Sequence, residues 1–186
     1  ETSMKTMKKD LTFSRRSLLG TAGASLVVMS ISSTGVITGG NGAWAATTKA
    51  LTPETFATLV QMSRDIYPHD RLTDDYYAFA VSSFDEAAAG DAGQKALFED
   101  GVTALNKAAN DAHGMPYSDV GWEADRVAIL RAMESSGFFQ KVRGSLITGL
   151  YNNKQVWEKF AYEGESASKG GYLYRGFDDI DWLDQV

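Results

Sequence analysis

Thr52-Pro53-Glu54-Thr55-Phe56-Ala57-Thr58-Leu59-Val60-Gln61-Met62-Ser63-Arg64-Asp65-Ile66-Tyr67-Pro68 sets the helical character of the chain. Thr52 suits an N-cap. Pro53 suits the first helical position, where an N–H has no intrahelical partner, and Glu54 places an acid in the first turn. Phe56, Leu59, Val60 and Ile66 recur at helical spacing, Met62 and Tyr67 fill the same face, and Pro68 ends the element. The pattern continues toward the C-terminus. Thr73-Asp74-Asp75 opens a second helix with Tyr76, Tyr77, Ala80, Val81 and Phe84 inward, ending at Gly90. Residues 92–113 predict a third, with the stripe Leu97, Gly101, Leu105, Ala108 and Ala112, closed by Gly114 and Pro116. Residues 123–134 predict a fourth, with Val127, Leu130 and Met133 inward. Residues 138–151 predict a fifth, with Phe139, Val142, Leu146, Ile147 and Leu150 inward. Residues 156–162 are short and aromatic, and neither a useful alternating strand pattern nor an internal repeat is present. The expectation is an all-α single domain of about five helices.

Toward the N-terminus the character differs. Ser14-Arg15-Arg16-Ser17-Leu18-Leu19 resembles the twin-arginine export signal of bacteria, a pathway that moves folded proteins. Lys5, Lys8 and Lys9 give a positive start, residues 17–48 carry no charge, and Ala43-Trp44-Ala45 offers small residues at both key positions of a cleavage site. The rival reading is a membrane anchor. Nine of the twenty residues from 18 to 37 are Gly, Ser or Thr, a weak apolar load for a segment that stays in lipid, so export is favoured. Three units follow: residues 1–45 as export signal, 46–163 as helical domain, and 164–186 as an extended C-terminal arm.

Cleavage after Ala45 would leave 141 of the 186 residues, enough for one core. Five of the 18 basic and two of the 24 acidic residues precede residue 46, so this body has 13 basic against 22 acidic side chains, a net charge of −9. An acidic body does not suit nucleic acid or anionic lipid, which require clustered Lys and Arg. The chain has no cysteine, which excludes a cysteine-ligated iron–sulfur cluster, a covalently attached c-type haem and a thiol nucleophile from its own residues.

Few motifs carry chemistry. Gly40-Asn41-Gly42-Ala43-Trp44-Ala45 matches G-x-G-x-x-A in form, but it does not sit in a βαβ unit. Ile66-Tyr67-Pro68-His69-Asp70-Arg71 holds one of two histidines. His69 beside Asp70, with Asp74 and Asp75 following, could suggest a metal site or a base with its orienting acid; the favoured reading is a structural or interface loop. His113, before Gly114, suits the negative end of a helix dipole. No serine lies in a G-x-S-x-G elbow, and the carboxylates are scattered as on a solvated surface.

From Gly164 the chain turns irregular. Gly164-Glu165-Ser166-Ala167-Ser168-Lys169-Gly170-Gly171 disfavours a helix. Residues 172–183 are rich in large apolar side chains without a helical or strand period, unlike a merely disordered tail. Tyr172, Tyr174, Arg175, Phe177 and Trp182 fit an anchor role, and Asp178 and Asp179, with Asp181 and Asp184, suit a basic patch. The surface they cover is either the chain's own helices or a partner's.

Taken in order, the twin-arginine signal, the Thr-Pro-Glu helix, the Tyr-Pro-His-Asp loop, Phe138-Phe139, Gly149-Leu150-Tyr151-Asn152-Asn153, Lys169-Gly170-Gly171-Tyr172 and Arg175-Gly176-Phe177-Asp178-Asp179-Ile180-Asp181-Trp182 resemble the gluconate 2-dehydrogenase subunit 3 family. These are the small subunits of bacterial flavin-dependent sugar dehydrogenases. The Tyr-Pro-His-Asp loop and the final run are similar to those paired with glucoside 3-dehydrogenase-like catalytic subunits. The resemblance implies that FAD and the reaction belong to a separate large subunit of the glucose-methanol-choline type. Electrons then pass to a cytochrome c or other acceptor. It implies no cofactor, metal or catalytic residue in this chain, a periplasmic location, and membrane contact only through the export machinery or other subunits. The small subunit supplies the signal, Arg15 and Arg16 with cleavage at Ala43 and Ala45, and stabilises its partner. Tyr67, His69, Tyr172, Tyr174, Arg175, Phe177, Asp178, Asp179 and Trp182 are the expected partner interface. The alternative is a self-sufficient periplasmic binding protein or hydrolase using the His69 loop.

Overall fold

The computed structural model describes residues 29–31, 36–39 and 45–174. Within them the chain is all-α apart from one small sheet. Three strands come first: β1 (Met29–Ile31), β2 (Val36–Gly39) and β3 (Ala45–Thr47), an antiparallel meander in sequence order. The helices are α1 (Pro53–Ile66), α2 (Asp74–Gly90), α3 (Ala92–His113), α4 (Glu123–Ala132), α5 (Gly137–Tyr151) and the short α6 (Lys154–Lys159). A 3-10 turn, Tyr117–Asp119, joins α3 to α4, and another, Ser166–Lys169, follows α6.

The strands were not legible as an alternating pattern. Each is three or four residues long, too short for a period of two to show. β1 and β2 lie in the stretch that reads as an export signal. β2 contributes Ile37, fully buried, to the core.

α1 starts as its sequence dictates. The Thr52 side chain accepts from the Thr55 N–H at 3.2 Å, and Pro53 opens the first turn. It differs from expectation in being buried nearly all round, which makes it the central helix rather than a half-buried one. α1 meets α2, α3, α4 and α5, while β1 and β2 also lie against it. Ser63 handles its burial by donating to the Leu59 carbonyl at 2.6 Å. Ile66, expected inside, is only half-buried.

Three inner stripes are corrected. In α3 the buried positions are Phe98, Gly101, Val102, Leu105 and Ala109, while Leu97 is half-buried and Ala108 and Ala112 are exposed. Phe98 and Val102 carry more apolar area than the alanines, and Phe98 stacks on Phe84 of α2 at 5.3 Å, so the helix turns that face inward. In α5, Phe138 takes the place expected for Phe139, and Ile147 is 51% exposed. Gly101 explains the first shift: a Cβ there would sit 2.2 Å from the Phe138 ring, so only glycine lets that ring enter α3. In α4, Val127 and Met133 are half-buried, and the fully buried side chain is Arg126.

Arg126 lies in the core because its charge is answered there. Its Nε donates to Asp65 Oδ2 at 2.7 Å and its Nη2 to Oδ1 at 2.8 Å, while Nη1 reaches the carbonyls of Val120 at 2.8 Å and Gly121 at 3.3 Å. The Tyr117 hydroxyl donates to Asp65 Oδ2 at 2.7 Å, and the Gln61 amide lies 3.1 Å from both carboxylate oxygens. Burial, reinforced by the Asp65 charge, pushes the Tyr117 hydroxyl far up, so it stays a donor. Removing one member of such a pair leaves a stranded charge and costs about 3–5 kcal/mol, while an apolar replacement of both is often neutral. Arg126→Met is therefore expected to lower the urea unfolding free energy by about that amount, and Arg126→Met with Asp65→Leu to recover most of it. A single substitution costing under about 1 kcal/mol would show that the pair is not under strain of desolvation.

Candidate functional site

The loop between α1 and α2 carries the two candidate residues nearest the core, Tyr67 and His69. Three bonds shape it. The Tyr77 hydroxyl donates to the Tyr67 carbonyl at 2.7 Å, and Arg64 Nη1 reaches the Leu72 carbonyl at 3.1 Å and Asp74 at 3.0 Å. Burial pushes the Tyr77 hydroxyl up to about 12. Leu72 is buried beneath the loop, so residues 68–71 are presented at the surface.

The loop meets the C-terminal end of the helical body in a run of rings. His69 Nε2 and the Tyr151 hydroxyl share a hydrogen bond at 2.7 Å. The His69 ring also stands edge-on to Tyr151 at 5.7 Å and to Phe160 at 4.9 Å. Tyr67 stands edge-on to Tyr151 at 5.9 Å. The Trp157 indole N–H donates to the Tyr151 carbonyl at 2.6 Å, and its ring meets Tyr162 at 5.3 Å. Edge-to-face geometry places positive ring edges on negative faces. Tyr151 is the hub: it ends α5, anchors α6 through Trp157 and receives the loop through His69.

The ridge leads to the arm. After α6 the chain doubles back: Ala161 takes a left-handed φ of 53°, and the Tyr162 N–H returns to the Trp157 carbonyl at 2.9 Å. Gly164 then lies beneath Trp157, where a Cβ would be 3.0 Å from the indole and φ is 97°. Past the second 3-10 turn, Tyr172, Leu173 and Tyr174 stand in solvent at 59, 73 and 87% exposure. The structure thus joins Tyr67 and His69 in one cluster and leaves Tyr172 and Tyr174 outside it. Ala45 begins β3. Arg15, Arg16, Ala43, Arg175, Phe177, Asp178, Asp179 and Trp182 lie outside the described residues. Tyr151, Trp157 and Phe160 were missed as site residues. Aromatic density in residues 151–162 was the available signal, but nothing local says that these rings meet a loop some eighty residues earlier.

Beside the ridge is a shallow cavity of about 320 Å³ lined by Pro68, His69, Asp70, Arg71 and Phe160. A histidine, a carboxylate and a guanidinium on an aromatic wall can hydrogen-bond a small polar ligand or a partner's backbone. Among the described residues, no group of three or more His, Cys, Asp or Glu is arranged to hold a metal ion, and no helix is long and apolar enough to cross a membrane. No protein-family model, curated protein or solved structure matches the chain.

Burial holds the His69 imidazole below its ordinary 6.5, with the Asp70 charge partly offsetting this. The folded chain then binds this proton less readily than the unfolded chain. The contribution is complete above 6.5 and is lost as pH falls through and below that value. Between about pH 7 and about pH 5.5, the melting midpoint of the wild type should fall more than that of His69→Phe, followed by circular dichroism. Parallel curves would show that His69 titrates as if in water.

Proposed function

We propose that this chain is the non-catalytic small subunit of a periplasmic FAD-dependent sugar or glucoside dehydrogenase, supplying the twin-arginine export signal and stabilising a separate catalytic subunit of the glucose-methanol-choline type. The observation that carries the reading is the exposure of Tyr172, Leu173 and Tyr174 at the root of an arm that continues into an acidic and aromatic sequence. Rings held in water at the end of an ordered body suit a surface that becomes buried on assembly. The ridge from Tyr67 to Tyr162 supports it, because it offers rigid aromatic area close to the arm's origin. The sequence resemblance supplies the identity of the partner. FAD, the reaction and electron transfer to a cytochrome c all belong to other chains in this reading.

A second reading rests on the His69 cavity: a self-sufficient periplasmic binding protein or hydrolase. It requires a ligand at Asp70 and Arg71 and a chain that is stable alone. Copurification from native periplasm through a tag on this chain separates the two. A second, larger chain with a flavin spectrum fits the subunit, whereas a colourless monomer fits the binding protein.

One substitution and one truncation test this reading. Arg15→Lys with Arg16→Lys is expected to leave both this chain and the flavoprotein in the cytoplasm; a flavoprotein that still reaches the periplasm would remove the escort role. Truncation after Gly171 is expected to abolish the stable complex on gel filtration. An unchanged complex would mean that the arm is not an anchor.

A further inference from the structure

Two strands within the stretch that reads as an export signal, β1 and β2, lie against the body. In the ladder between β2 and β3, Val36 faces Thr47, Ile37 faces Ala46, and Thr38 faces Ala45. The peptide bond from Ala45 to Ala46, where cleavage is expected, therefore lies inside a β-ladder. β2 is held down as well as paired: Ile37 is fully buried in the core, and β1 and β2 both lie against α1.

The other side of the bond is fastened independently. Asp85 of α2 is a buried carboxylate that accepts from three consecutive backbone amides, Lys49 at 2.6 Å, Ala50 at 2.9 Å and Leu51 at 2.8 Å. Glu99 of α3 accepts from the Thr52 N–H at 2.7 Å. These amides precede α1 and have no helical partner, so the two carboxylates satisfy them in place of water. β3 thus runs directly into a clamp and cannot swing away from the body by itself. To separate the ladder, β1 and β2 have to leave.

We propose that β2 shields the Ala45–Ala46 bond until β1 and β2 leave the body. This rests on the export reading above and adds a control step to it. A protease that reads small residues before the bond grips an extended backbone in a cleft, through the same N–H and C=O groups that a neighbouring strand uses. β2 already occupies one of the two edges of β3 that such a cleft would grip. The departure that uncovers the bond also takes β1 and β2 off α1, so cutting does not precede it. The reaction is ordinary hydrolysis. Water supplies hydroxide to the Ala45 carbonyl and a proton to the Ala46 nitrogen as the C–N bond breaks, and the products are a carboxylate and an amine.

The absence of cysteine makes a reversible lock simple to install. Val36→Cys with Thr47→Cys places two thiols on facing residues of β2 and β3. The purified full-length double variant is incubated with a signal peptidase in detergent, oxidised or reduced, and each time point is reduced and read by mass. The reduced form should yield the product beginning at Ala46, and the oxidised form should yield it about tenfold or more slowly. Equal rates, with the disulfide verified by mass, would overturn the shielding. Failure of the two thiols to join would overturn the pairing itself. If neither the reduced variant nor the wild type is cut after Ala45 even when the sheet is opened with mild urea, the export reading fails instead, and the shielding falls with it.

Discussion

The bidentate pair of Asp65 and Arg126 is the constraint to which the rest of the body conforms. A carboxylate and a guanidinium removed from water require every oxygen and N–H to be answered. Here the answers come from four places in the chain: Gln61 and Asp65 on the central helix, Tyr117 on the 3-10 turn, the carbonyls of Val120 and Gly121, and Arg126 on α4. A hydrophobic contact tolerates a rotation of one helix against another, but a fork of two N–H bonds to two oxygens does not. The pair therefore fixes the register of α4 and of the α3–α4 connection against α1. The helices around it are packed by non-directional contacts, such as the stacked rings of Phe84 and Phe98 and the Phe138 ring in the Gly101 notch.

This division explains what was legible in the sequence. The helices and their ends were, because Thr52, Pro53, Gly90 and Gly114 act locally: Thr52, for example, accepts from the Thr55 N–H at 3.2 Å. The inner face of α3 was not, because the choice between Leu97 and Phe98 depends on what α2 and α5 present. Arg126 was not, because an arginine in isolation reads as solvated, and its partner lies 61 residues away. The strands were hidden by their shortness.

The candidate site was half legible. The Tyr67–His69 loop stands out as an unusual run after a proline-terminated helix, and the arm stands out by composition. The link between them, through Tyr151, Phe160 and Trp157, is tertiary. An exposed-looking tyrosine at the end of a helix carries no mark that it will accept one ring, hold another and hydrogen-bond a third residue through its hydroxyl.

The Asp85 clamp has a mechanical meaning. A chain drawn from its N-terminal side loads the first attachment it meets. Once β1 and β2 are off the body, that attachment is three amide N–H hydrogen bonds to one carboxylate, backed by a fourth at Glu99. These bonds share the tension side by side, and they transmit it to the middle of α2 and α3 rather than to the first turn of α1. A pull that would otherwise unwind the central helix from Thr52 onward is spread over two neighbouring helices, so the body can be towed as a folded object.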